Sequence, residues 1–169
     1  MIFPEKNMYF KHRDVFTIKL FRTIPMNRIF LLFFIAVAVS WNTALAEDHV
    51  SESPPGAKVY IISPKDGQVV SKTFTVRFGL VNMGVAPAGV KVPNTGHHHL
   101  LIDLENLPDM GKPLVFSENV RHFGGGQTET EITLAPGKHT LRLLLGNYVH
   151  IPHKPPVLSE KITVTVKDQ

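Results

Sequence analysis

The 169-residue chain contains no cysteine. That single absence excludes thiolate metal sites, thiol nucleophiles, iron–sulfur clusters, disulfides and a lipid-modified cysteine behind a leader. Any metal must therefore be held by imidazole, carboxylate, thioether or backbone oxygen. Amphipathic helix spacing of useful length is also missing, while 12 glycines and 13 prolines punctuate the chain, which argues against helical bundles and α/β folds. No Walker phosphate loop, Rossmann glycine fingerprint or nucleophile elbow is present. Gly124 to Gly126 precedes no helix, so a phosphate cradle is not expected. These gaps weigh against an enzyme.

Long apolar runs are scarce. The longest, Ile29 to Val39, has 11 residues, too short for a comfortable membrane span. It follows Met26-Asn27-Arg28 and leads into Ser40 to Ala46, which ends in the small-x-small pattern Ala44-Leu45-Ala46. This layout reads as a secretory signal peptide cleaved after Ala46, with an uncleaved anchor as the alternative. Residues 1–46 are then an N-terminal extension plus cleaved signal, and the expected location is the periplasm, with no membrane contact after cleavage. Met26 begins a better signal than Met1, and either start stays open.

An excess of charge is lacking too, once the leader is set aside. The leader holds 6 of the 18 Lys/Arg and 2 of the 14 Asp/Glu, so the remainder balances to zero. The basic character belongs to the leader, and no nucleic-acid partner is expected.

Residues 47–57 (EDHVSESPPGA) are polar and proline-bearing and read as a flexible linker. From 58 to 167 the chain alternates short β-type runs with turn residues. Expected strands are Lys58 to Ile62, Thr73 to Leu80, His97 to Leu104, Leu114 to Phe116, Thr128 to Leu134, His139 to Leu145 and Val157 to Val166. The expected fold is all-β, an antiparallel immunoglobulin-like β-sandwich of about seven strands, with a closed barrel as runner-up.

What the chain does have is histidine. Six of its nine histidines fall in three patches: His97-His98-His99, His122 ahead of three glycines, and His150-Ile151-Pro152-His153. If successive strands run antiparallel, the second, fourth and sixth connections share one end of the sandwich. All three patches then converge, while His139 lands at the opposite end as a turn or packing residue. Side chains two apart on a strand share a face roughly 6.5–7 Å apart, so His97 and His99 can approach one ion. His98 points the other way, into the apolar face, and would bind or buttress. Prolines 152, 155 and 156 stiffen the His150–His153 loop.

The candidate metal ligands are accordingly His97, His98, His99, His122, His150 and His153. Imidazole without thiolate suits copper, zinc or nickel, with copper or zinc the expected ion. Neutral-imidazole ligation predicts that binding fades below about pH 6. Met83 could add a thioether, and Glu118, Glu129 and Glu131 flank the His122 patch, although strand-edge glutamates ordinarily face solvent. Alternative readings are a metal-free module that contacts another envelope protein, and, third, a metal-dependent enzyme, for which no convincing general base is evident. The sequence does not fix the oligomeric state.

The stretches Gly96 to Asp103 (GHHHLLID), His122 to Glu129 (HFGGGQTE), Pro136 to Leu141 (PGKHTL) and His150 to Pro156 (HIPHKPP) resemble the signature of a family of bacterial secreted domains, domain of unknown function 4399. Gly84 to Gly89 (GVAPAG) and Pro93 to Gly96 (PNTG) fit the same pattern, and the resemblance runs from about Tyr60 to Val166. It implies a single small exported β-domain in the periplasm of a Gram-negative bacterium, and no particular activity.

Overall fold

The computed structural model describes residues 49–168; the expected leader lies outside the described residues. Nine strands follow in order: β1 (Lys58–Ser63), β2 (Val69–Val70), β3 (Thr73–Val81), β4 (Gly84–Val85), β5 (Thr95–Ile102), β6 (Val120–His122), β7 (Glu129–Thr133), β8 (Gly137–Gly146) and β9 (Ile162–Val166). They form two sheets. One is β1-β3-β7; the other runs β2-β9-β8-β5-β4, with β6 also pairing along β5. The principal pairings are antiparallel, and only the two-residue strands β2 and β4 pair in parallel. This is an all-β, immunoglobulin-like sandwich.

The core follows from period-2 alternation. Val59, Val76, Phe78 and Ile132 from the small sheet meet Leu100, Ile102, Leu141, Leu143, Leu145, Val164 and Val166 from the large one. The large sheet is also covered on its outer face, where Leu101, Val120 and Leu144 pack with Leu114 and, partly buried, Leu104, Met110 and Leu158. The cover is the long segment between β5 and β6. Strand β5 is therefore buried on both faces almost throughout.

Three expectations change. Leu114 to Phe116 forms no strand: Leu114 is buried, whereas Val115 is 82% and Phe116 49% exposed. The Leu114 N–H donates to the His150 carbonyl rather than to a ladder. The short strand forms later, at Val120–His122, and pairs with β5. The last strand begins at Ile162; before it, Val157 to Ser159 runs irregularly beside β8 through the Leu144–Leu158 bridge and the Ser159 side chain. Within the expected linker, Ser51 and Ser53 exchange backbone hydrogen bonds with Lys154, so that stretch is tied to the loop that carries His150.

Candidate metal centre

Directly paired residues share a sheet face. His99 pairs with His122 on one side and Leu144 on the other, and His97 pairs with Gly146. Since Leu144 belongs to the outer core, His97, His99 and His122 lie on the outer face of the large sheet. His150 reaches the same place from the loop after β8. Four rings thus gather from three separate segments. Ring centroids lie 4.8 Å apart for His97–His99, 4.9 Å for His97–His122, 5.0 Å for His97–His150 and 4.8 Å for His122–His150. His99 lies 5.2 Å from His122 and 6.2 Å from His150. One ligand nitrogen each from His97, His122 and His150 falls within 4.8 Å of the others. His97 and His99 form a fully buried floor, and His122 and His150 a half-buried rim.

Two glycines make the room. A side chain at Gly146 would put its Cβ 2.7 Å from His99 Cε1, and one at Gly124 would run into the His122 ring. Asn147 shapes the loop that delivers His150. Its Oδ1 accepts the N–H groups of Val149 and Ile151, both at 3.0 Å, and its Nδ2 donates to the His49 carbonyl at 2.6 Å. His150 itself sits at φ 69°, a left-handed conformation uncommon for non-glycine residues and typical of places where surrounding structure over-determines a side chain.

Burial without pairing is the electrostatic signature. Both nitrogens of His97 and of His99, and Nε2 of His122, are buried with no hydrogen-bond partner among the described residues. The Leu144 carbonyl approaches His99, but outside hydrogen-bond geometry. Desolvation is the main reason the His97 pKa falls from 6.5 to about 4, reinforced by the His150 and His122 rings. Desolvation and the neighbouring imidazoles take His99 lower, to about 2. His122 is lowered too, by burial first and then by His150. These are neutral imidazoles with free lone pairs, the form that binds metal. Buried polar atoms are normally paired, so this group could hold a metal ion.

The family model for the domain of unknown function DUF4399 matches residues 76–167, more than half of the chain. The chain belongs to that family. No curated protein sequence matches it. Among solved structures, the endo-beta-1,4-mannanase from Thermotoga petrophila is similar over 67% of this chain, at 20% identity and a TM-score of 0.39, and the chain spans 20% of that protein's length. The fibronectin(III)-like modules of Clostridium thermocellum CbhA are similar over 64% of this chain and 92% of theirs, at 11% identity and a TM-score of 0.32.

In this DUF4399 domain, two of the six expected ligands stand apart from the cluster. His98 faces the sandwich interior, its ring 5.1 Å from Phe78 and its Nδ1 3.3 Å from the Gln127 carbonyl. Burial lowers its pKa to about 4, against the opposing hydrogen bond to Gln127. His153 has both nitrogens turned to carbonyls, Thr95 at 3.1 Å and Leu145 at 3.4 Å, and braces the loop. The convergence is also on a sheet face rather than among loops at the tip, since His122 is a strand residue. Met83 packs against the inter-sheet core instead. Glu118, Glu129 and Glu131 are exposed, with Glu129 paired to Arg77. His139 is held by Asp103 at 2.6 Å and by the Ala135 carbonyl.

Phe116 was not among the expected site residues. Its ring stacks on His122 at 4.4 Å and 8° and meets His150 edge-on at 5.2 Å. Asn147 and Gly146 were missed as well. No local pattern marks Phe116, whereas the Gly146-Asn147 pair ending an apolar strand is a turn signal that could have directed attention to both.

Proposed function

We propose that this domain binds a transition metal ion, copper or zinc, in the cell envelope, with His97, His122 and His150 as ligands. One observation carries the reading: imidazoles from three distant segments place ligand atoms within 4.8 Å of one another, and those of His97 and His122 include buried nitrogens with no other partner among the described residues. In a tetrahedral site with metal–nitrogen bonds of 2.0–2.1 Å, ligand nitrogens stand about 3.4 Å apart. Binding must draw the rings together by that difference. An all-imidazole set disfavours the oxygen-seeking calcium and magnesium and suits copper, zinc or nickel. The signal-peptide pattern before Ala46 supports export to the periplasm.

Titration calorimetry on tag-free, chelator-stripped protein tests this. One ion per chain with a submicromolar Kd is the expected result. His97→Ala should weaken binding on the order of 100-fold or more, while His139→Ala, remote from the cluster, should leave it intact. Absence of submicromolar binding for copper, zinc and nickel would refute the proposal and favour a metal-free interaction module.

A further inference from the structure

Resting on the metal-binding reading, we infer that the site is a closed, four-imidazole tetrahedron in which His99 is the fourth ligand and Phe116 the cap, built for Zn(II) or Cu(I). The four ring centroids make six separations. Five lie between 4.8 and 5.2 Å and one, His99–His150, is 6.2 Å. For radially directed imidazoles, tetrahedral coordination requires six equal separations of about 5.1 Å, taking the metal–nitrogen bond as 2.0–2.1 Å. A square plane would require four of about 4.4 Å and two of about 6.3 Å. No pair here is as close as 4.4 Å, so the ring centroids lie nearer a tetrahedron with one stretched edge than a square plane. His99, whose nitrogens fall outside the 4.8 Å group, must turn to join it.

His99 is free to complete it. Neither of its nitrogens is hydrogen-bonded among the described residues, so turning the ring about its broad χ2 torsion breaks no bond. Gly146 leaves open the space its ring edge occupies.

Phe116 closes the outer side. It lies 4.4, 5.2 and 6.0 Å from His122, His150 and His99, placing an apolar ring where a water ligand would approach. Catalytic zinc sites keep an open position and structural ones do not. The site therefore holds its ion for storage, carriage or stability rather than for chemistry on a substrate. Tetragonal coordination suits Cu(II), whereas Zn(II), which has no geometric preference from d-electrons, is ordinarily tetrahedral; Cu(I) has the same d10 configuration.

Cobalt(II) serves as the probe, because its visible bands are intense in four-coordinate tetrahedral sites and weak at five or six ligands. Chelator-stripped wild-type protein should develop the intense spectrum at one equivalent. Zn(II) in air, and Cu(I) supplied anaerobically, should each displace it. His99→Ala, with folding checked by circular dichroism, should give the weak spectrum. Phe116→Ala, a change at a half-exposed position, should release ion to a chelator at least about tenfold faster. Cobalt bound by wild-type protein with a weak spectrum, or an unaltered spectrum in folded His99→Ala, would overturn the four-imidazole site while leaving metal binding in place. Bands that survive both Zn(II) and Cu(I), or unchanged release from Phe116→Ala, would also count against it. Failure to take up any ion would overturn the metal-binding reading itself.

Discussion

Gly146 shows how closely the imidazoles are fitted. The Cβ of an alanine there would meet His99 at 2.7 Å and the His150 backbone carbon at 3.5 Å, so Gly146→Ala must displace the buried ring. Overpacking of this kind costs about 1–3 kcal/mol; chemical denaturation should show that loss, with weaker metal binding alongside. Protonation acts on the same residues. The His97, His98 and His99 pKa values lie below their unfolded 6.5, so the unfolded chain binds more protons between the two values and stability rises with pH there. On these three groups alone, metal-free protein should be most stable above pH 6.5. It should weaken as pH falls from 6.5 through about 4, where His97 and His98 protonate, with the His99 contribution extending toward 2. His139 has the opposite sign: burial works against its charge, but Asp103 and the Ala135 carbonyl raise its pKa. Its contribution is complete below 6.5 and fades as pH rises through the raised value. Denaturant midpoints against pH, for wild type and His139→Ala, separate the two. The expected fading of metal binding below pH 6 should also shift downward, because protons compete weakly for His97 and His99.

The element that delivers His150 depends on Asn147, which is almost fully buried and organises both the turn and the 49–51 segment laid against it. Asn147→Ala leaves the Val149 and Ile151 N–H groups without their side-chain acceptor, at a cost of about 1–3 kcal/mol. It should lower metal affinity through His150 alone, so that Asn147→Ala and His150→Ala combined bind no more weakly than His150→Ala; strictly additive losses in calorimetry would contradict this. At this scale the sequence was only partly readable. Strand β5 announced itself, since alternation assigned His98 to one face and His97 and His99 to the other, as found. The Leu114-Val115-Phe116 triplet read as a strand because three consecutive apolar residues carry no period. It took a tertiary contact, the Leu114 N–H to the His150 carbonyl, to make it a cover, with Leu114 in the outer core and Phe116 against the imidazoles.

For the molecule as a whole, the sandwich was legible from regular turn spacing and clean alternation, and its two-sheet order agrees with that reading. The outer core was not. A strand apolar on both faces looks the same whether its second face meets a loop or another sheet, and so the histidines were expected around loop tips rather than on a covered face. Leu144→Ala tests that cover: it should destabilise the domain by about 2–5 kcal/mol and loosen metal retention, although Leu144 is no ligand. A bound ion should in turn stabilise the fold by roughly 2.7 kcal/mol at a hundredfold excess over Kd, which thermal unfolding with and without metal would reveal. The most direct measurement is the metal content of the untagged protein isolated from its own cells without chelator. One equivalent of zinc or copper per chain, lost in His97→Ala, is the expected result; wild-type protein that carries no more metal than His97→Ala would contradict the assignment of these imidazoles as a metal centre.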